Sequence, residues 1–109
     1  MKTVFLIAIE LKHPESIKNR EAIENTIKSL TGWWWHHIES VWLIAGDDPL
    51  SASSIYEKLS TVLKLKDTAP DDSLFIVRIN PAERQGWLPK TAWDWLRKVS
   101  GQAPSVKQA

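Results

Sequence analysis

The chain has 109 residues, 43% hydrophobic and 25% charged, with 14 basic against 13 acidic side chains. That is one domain's worth of chain with enough apolar material for a single core, and it excludes a wholly disordered protein. A net charge of +1 gives no broad electrostatic footprint for nucleic acid or an acidic membrane, and zero cysteines exclude disulfides, zinc–thiolate sites and thiol nucleophiles.

In chain order, Thr3 to Leu11 (TVFLIAIEL) is apolar on both parities, as expected of a central strand covered on both faces. Its apolar run to Ile9 is too short for a signal peptide, and no cleavage site of small residues follows. No segment approaches the roughly 20 apolar residues of a membrane span. A cytoplasmic protein without a membrane partner is therefore expected. His13-Pro14 ends the strand, and Asn19 to Thr31 reads as a helix with Ile23, Ile27 and Leu30 on one face, Asn19 as its cap and Gly32 as its stop. A hairpin follows, with strands near Trp34 to Ile38 and Val41 to Gly46 around Glu39-Ser40. Ser51 caps a second helix over Ala52 to Lys64, with Ile55, Leu59, Val62 and Leu63 inward. The linker KLKDTAPDD leads to a strand over Ser73 to Ile79.

The order is βαββαβ, so the expected class is α+β: a ferredoxin-like antiparallel sheet with two helices on one face. After the loop NPAERQ, Pro89 suits the first turn of a C-terminal helix rich in tryptophan, with Ala92, Trp95, Leu96 and Val99 as its apolar stripe. One domain over 1–99 is expected, with a flexible tail over 100–109.

The stretch GWWWHHIES (32–40) asks for metal binding, base stacking or burial. On a strand, Trp33, Trp35 and His37 share one face and Trp34, His36 and Ile38 the other, so the adjacent histidines do not converge on one metal. Stacking platforms combine aromatics with cations along a groove, and residues 32–46 contain no lysine or arginine. Burial has a positive argument: with both helices on one face, the other face of the first strand needs a cover. Trp34, Trp42, Trp87, Trp93 and Trp95 suit that role. Of these, Trp34, Trp42, Trp87 and Trp93 are the candidate interface residues, the cover being the C-terminal helix, a second copy, or both.

Strand directions place Glu10, the turn residues Glu39 and Ser40, and Asp71 and Asp72 along one edge. Such oxygen-rich clusters suit Mg²⁺ or Mn²⁺. The alternatives are a Glu10–Lys12 pair at a strand end and turn-forming aspartates at 71–72. Asp47 and Asp48 belong to the opposite edge, where turn formation accounts for them. There is no glycine-rich phosphate loop, G-x-S-x-G or H-E-x-x-H, and nothing in the spacing favours a triad of Ser40, His37 and Asp72.

The first strand ending in an acid, then HHIESVWLIAG running into DDPLSASSIYEKL, then SLFIVRI, resembles the small nuclease-like CRISPR-associated adaptation proteins and the virulence-associated protein D toxins. With GWLPKTAWDWL added, residues 1 to about 98 resemble bacterial proteins labelled SinR-like, although the chain shows no helix-turn-helix. The resemblance implies a ferredoxin-like homodimer that acts either as a metal-dependent nuclease or as a non-catalytic adaptor. In the adaptation proteins the first strand ends in Tyr-Asp, and two such aspartates share a divalent ion across the dimer; the matching pair here is Ile9-Glu10. Ser40-Val41-Trp42 matches their Ser-Val-aromatic run, while His36 and Ile38 stand at their arginine and glutamine positions.

Two functions are thereby expected. One is a Mg²⁺- or Mn²⁺-dependent endonuclease cutting DNA or RNA at the dimer dyad, with Glu10 as catalytic residue and metal ligand and Ser40 orienting substrate. The other is a non-catalytic homodimeric module for protein interaction or scaffolding.

Overall fold

The structure is a computed structural model that describes residues 2–47, 49–63 and 71–100. In chain order the elements are β1 (Thr3–Glu10), α1 (Pro14–Lys18), α2 (Arg20–Leu30), β2 (Trp33–Ile38), β3 (Val41–Gly46), α3 (Ala52–Leu63), β4 (Ser73–Ile79) and α4 (Lys90–Ser100). The class is α+β. The four strands form one sheet in the order β2-β3-β1-β4, and every neighbouring pair is antiparallel.

β1 is central because it is apolar on both parities, and each parity serves its own core. On the first face Phe5 and Ile7 join Trp42 and Ile44 of β3 beneath Ile23 and Ile27 of α2 and Ile55, Leu59 and Leu63 of α3. On the second face Val4 joins Trp35, Leu43 and Ala45 beneath Ala92, Trp93, Leu96 and Val99 of α4. The i, i+4 spacing of Ile23 and Ile27, and of Ile55 and Leu59, is what lets each helix lay one stripe on the sheet.

Local signals explain most boundaries. Ser51 and Ser54 form a reciprocal cap: the Ser54 amide donates to Ser51 Oγ at 3.1 Å and the Ser51 amide to Ser54 Oγ at 3.0 Å. At the other helix the expectation needs correction. Asn19 is the N-cap of α2 but makes no side-chain cap bond. An extra helix, α1, precedes it, with Pro14 in its first turn and His13 Nδ1 accepting the Glu15 amide at 3.2 Å. His13-Pro14 thus opens a helix as well as ending a strand. Gly46 closes β3 where a Cβ would stand 2.8 Å from Leu50 Cδ2 and 2.9 Å from Thr31 Cγ2, so the loop packs closely because that position has no side chain.

Two expectations on the sheet are also corrected. Trp42 and Trp34 belong to the first face; Trp35, with Trp93, fills the second. Ile38 does not share a face with Trp34, because the β2–β3 register shifts between Trp35 (opposite Leu43) and Ile38 (opposite Val41). One extra residue in β2 turns Ile38 onto the second face. Asp48, the linker over 64–70 and the tail from 101 onward lie outside the described residues.

Candidate functional site

The carboxylate edge assembles as strand directions require. Glu10 stands opposite Ser73 in the β1–β4 register, and the Ile9 amide donates to the Ser40 carbonyl at 2.9 Å. Glu10, Ser40 and Asp71 are all exposed, while Asp72 is buried. Glu10 Oε1 is 3.2 Å from Lys12 Nζ, an open surface pair.

Asp72 is committed differently. Its Oδ1 accepts the amides of Lys12 at 2.8 Å and His13 at 2.9 Å, tying the start of β4 to the turn that follows β1. Burial pushes its carboxyl up, but the Ser16 hydroxyl and the His13 and Lys12 amides outweigh burial. With the His13 ring charge they hold it below the ordinary carboxylate range. Among the described residues, no three histidine or acidic side chains come together in a group able to hold a metal ion.

The two histidines part to opposite faces. His36 stacks on Trp42, ring centroids 3.7 Å apart and planes 12° apart, and its Nε2 donates to the Glu39 carbonyl at 2.9 Å. His37 meets Trp35 edge-on at 5.0 Å. Burial, and then the neighbouring His36 charge, holds the His37 imidazole below its ordinary range.

Of the four candidate interface tryptophans, Trp42 and Trp93 are 2% and 1% exposed and pack inside the chain. Trp93 Nε1 donates to the Leu88 carbonyl at 3.1 Å, and Trp35 Nε1 to the Ala92 carbonyl at 3.2 Å, so the two indoles fasten α4 and the loop before it. Trp34 is 39% exposed and Trp87, beside the α4 start, 79%.

The second face holds what reading residue types along the chain missed. α4 covers only the half that carries Val4, Leu43 and Ala45. Toward the Glu10 end, one lateral row crosses all four strands in register: Ile38 opposite Val41, Val41 opposite Ala8, Ala8 opposite Phe75. Phe75 is 61% and Ile38 46% exposed, and Val41 and Ala8 are only half-buried. Behind the row, a groove of about 290 Å³ runs under the loop after β4, lined by Leu6, Ile38, Val41, Ile79 and Leu88 among others. The Arg84 guanidinium donates to the Pro81 carbonyl at 2.7 Å and folds that loop over the groove. Glu10 lies on the same parity as Val4, Leu6 and Ala8, hence on this face beside the row. Sequence alternation could have shown the row but for the bulge at Ile38.

No helix among the described residues is long and apolar enough to cross a membrane. Compared with family models, with curated proteins and with solved structures, the chain matches none.

Proposed function

We propose that this chain is a ferredoxin-like, non-catalytic homodimeric module of the cytoplasm that binds a protein partner or scaffolds a small assembly, its two copies meeting across the open half of the second face. The row Ile38–Val41–Ala8–Phe75 carries the reading: four in-register apolar positions, two of them largely exposed, on a sheet whose other half is covered. An exposed contiguous apolar face on a small soluble domain marks an association surface, and a two-fold pairing lets the same row serve as both partners. The βαββαβ succession and the β2-β3-β1-β4 order support the ferredoxin-like part. The resemblance to the adaptation proteins and to virulence-associated protein D supports the dimer. Light scattering over micromolar concentrations tests it: twice the chain mass is expected, falling to one chain in Phe75→Glu with far-UV CD unchanged. A wild-type monomer across that range overturns the reading.

One observation favours a second reading. Glu10 shares the second face with the row, so a two-fold pairing of rows brings two Glu10 carboxylates toward one axis. Two carboxylates with water and phosphate oxygens suit Mg²⁺ or Mn²⁺. The chain is then a metal-dependent phosphodiesterase of DNA or RNA, with Ser40 orienting substrate. Cleavage assays with Mg²⁺, Mn²⁺ or EDTA on wild type and Glu10→Ala decide it. Metal-dependent cleavage lost in the variant supports the enzyme; equal cleavage in both, or none in either, removes it.

A further inference from the structure

The two edges of the sheet are unlike. β2 is interrupted by the register shift between Trp35 and Ile38, and a bulged edge is a poor template for a further strand. At the other edge, β4 is paired with β1 in unbroken register from Ser73 to Ile79. It holds no proline, lysine or acid, and Arg78 is its single charge. Which of its backbone groups point outward follows from one bond on the far side of β1. The Ile9 amide donates to the Ser40 carbonyl across the β1–β3 ladder, so the odd-numbered residues of β1 bond toward β3 and the even-numbered ones toward β4. Val4, Leu6, Ala8 and Glu10 stand opposite Ile79, Val77, Phe75 and Ser73, which therefore bond inward. The N–H and C=O groups of Leu74, Ile76 and Arg78 point away from the sheet. Among the described residues, no strand lies beyond β4 and no turn or loop backbone bonds to these groups.

We propose that the β4 edge pairs antiparallel with the β4 edge of a second copy about a two-fold axis at Ile76, joining two four-stranded sheets into one of eight strands. This contact is separate from the pairing of rows and goes beyond it. Centring on Ile76 sets that residue against its own counterpart and Leu74 against Arg78 of the second copy. Every outward N–H and C=O of one copy then meets its complement on the other. Between these positions Phe75 stands opposite Val77 of the second copy, an aromatic and β-branched pair at the close, non-hydrogen-bonded spacing. Like charges directly opposite would oppose self-pairing, and none meet: the exposed Arg78 lays its aliphatic stem along Leu74 of the second copy and keeps its guanidinium in water. One charge on the strand gives little to select a partner of opposite sign, whereas the strand complements itself position by position. A regular apolar edge without blunting devices is a template for association, and a copy of itself fits it.

Two measurements test it. In Ile38→Glu the row is broken at β2, far from β4, so sedimentation equilibrium on that variant reads the edge alone. A contact this small is weak, and the mass is expected to rise from one chain toward two over about 0.1–1 mM. Adding Arg78→Pro removes an outward N–H and puts ring atoms in the path of the incoming strand, while every bond from β4 to β1 stays in place. That double variant should keep the mass of one chain over the same range. Hydrogen exchange on the wild type gives a residue-level readout that association through apolar side chains alone would not move. The Phe75 and Val77 amides, bonded to β1, are slow at every concentration. Those of Leu74, Ile76 and Arg78 are fast at micromolar concentration and slow by about two- to fivefold at about 1 mM, as the paired fraction requires. A mass of one chain for Ile38→Glu at about 1 mM overturns the proposal. So does undiminished association in the double variant, or exchange at Leu74, Ile76 and Arg78 that does not slow with concentration. A wild-type monomer at micromolar concentration removes the row pairing and leaves these expectations for the edge unchanged.

Discussion

The two amides that Asp72 accepts, those of Lys12 and His13, belong to backbone that has left β1 and not yet entered α1. Without the carboxylate, both would face a buried site unpaired. Asp72→Ala is therefore expected to destabilise the fold by about 2 kcal/mol, the scale of charge-assisted bonds to backbone amides, and urea unfolding measures it. The sign of the pH dependence follows from the lowered carboxyl. The folded pKa lies below the unfolded value of about 3.9, so the unfolded chain binds the proton first as pH falls. The contribution is fully present above about pH 4 and disappears as pH drops through the folded value. The gap between wild type and Asp72→Ala should narrow across that acid window; a constant gap contradicts the assignment. Sequence alone places Asp72 at a turn, which is where it stands. It cannot name the partners, because they lie about 60 positions away in the chain. Glu10 is the reverse case, its exposed pairing with Lys12 being one of the alternatives that neighbouring charges already offer.

Elements with a single dominant period are legible residue by residue. β3 and β4 occupy the spans that alternation and flanking turns assign, and Ser51 begins α3 as a capping serine should. What escapes is produced by competition between signals. Pro14 stops a strand and equally suits a first helical turn, so α1 is hidden behind it. In β2 the shift between Trp35 and Ile38 reverses alternation for the last residue, and no residue type announces it. α4 is legible as an amphipathic helix, but its anchors are not: they are the indole bonds from Trp35 to Ala92 and from Trp93 to Leu88. Those bonds carry two predictions. Trp93→Ala should cost about 3–5 kcal/mol, the range for deleting a buried aromatic. Hydrogen exchange should then rise first in α4, with β1 and β3 retaining protection on the first face. Trp35→Phe, which keeps an aromatic ring but loses the donor to the Ala92 carbonyl, should cost about 1 kcal/mol plus the smaller ring's lost contacts. Uniform loss of protection across the sheet in Trp93→Ala would show that α4 is not a separable cover.

Across the whole molecule, the sheet is covered unequally: two helices span the first face, and one helix spans half of the second. Two apolar parities in β1 are enough to foresee that both faces need cover, but not that α4 stops short, since that depends on where its eleven residues lie across the strands. On the proposed pairing, the uncovered half would make dimerisation part of stability, with a thermodynamic signature apart from mass. If folded chains are paired through the row, unfolding releases two chains. A tenfold rise in protein concentration then favours the folded dimer by about 1.4 kcal/mol, or about 0.7 kcal/mol per chain. For a domain of this size, that raises Tm by about 3–5 °C per decade above the dimer dissociation constant. Phe75 and Ile38 supply the most area still to be buried, and a glutamate at Phe75 would have to bury an unpaired charge from each chain in the pairing surface. Phe75→Glu should therefore lower Tm to a value that no longer moves with concentration. Its own chain loses little, because the Phe75 ring is mostly in water before pairing. Trp33 gives the internal control: alanine there should leave the concentration dependence of Tm intact, because it lies at the far end of β2 from the row. A wild-type Tm that stays flat over two decades of concentration would mean that the second face remains open in solution, and Phe75 would then be the place where a different protein docks.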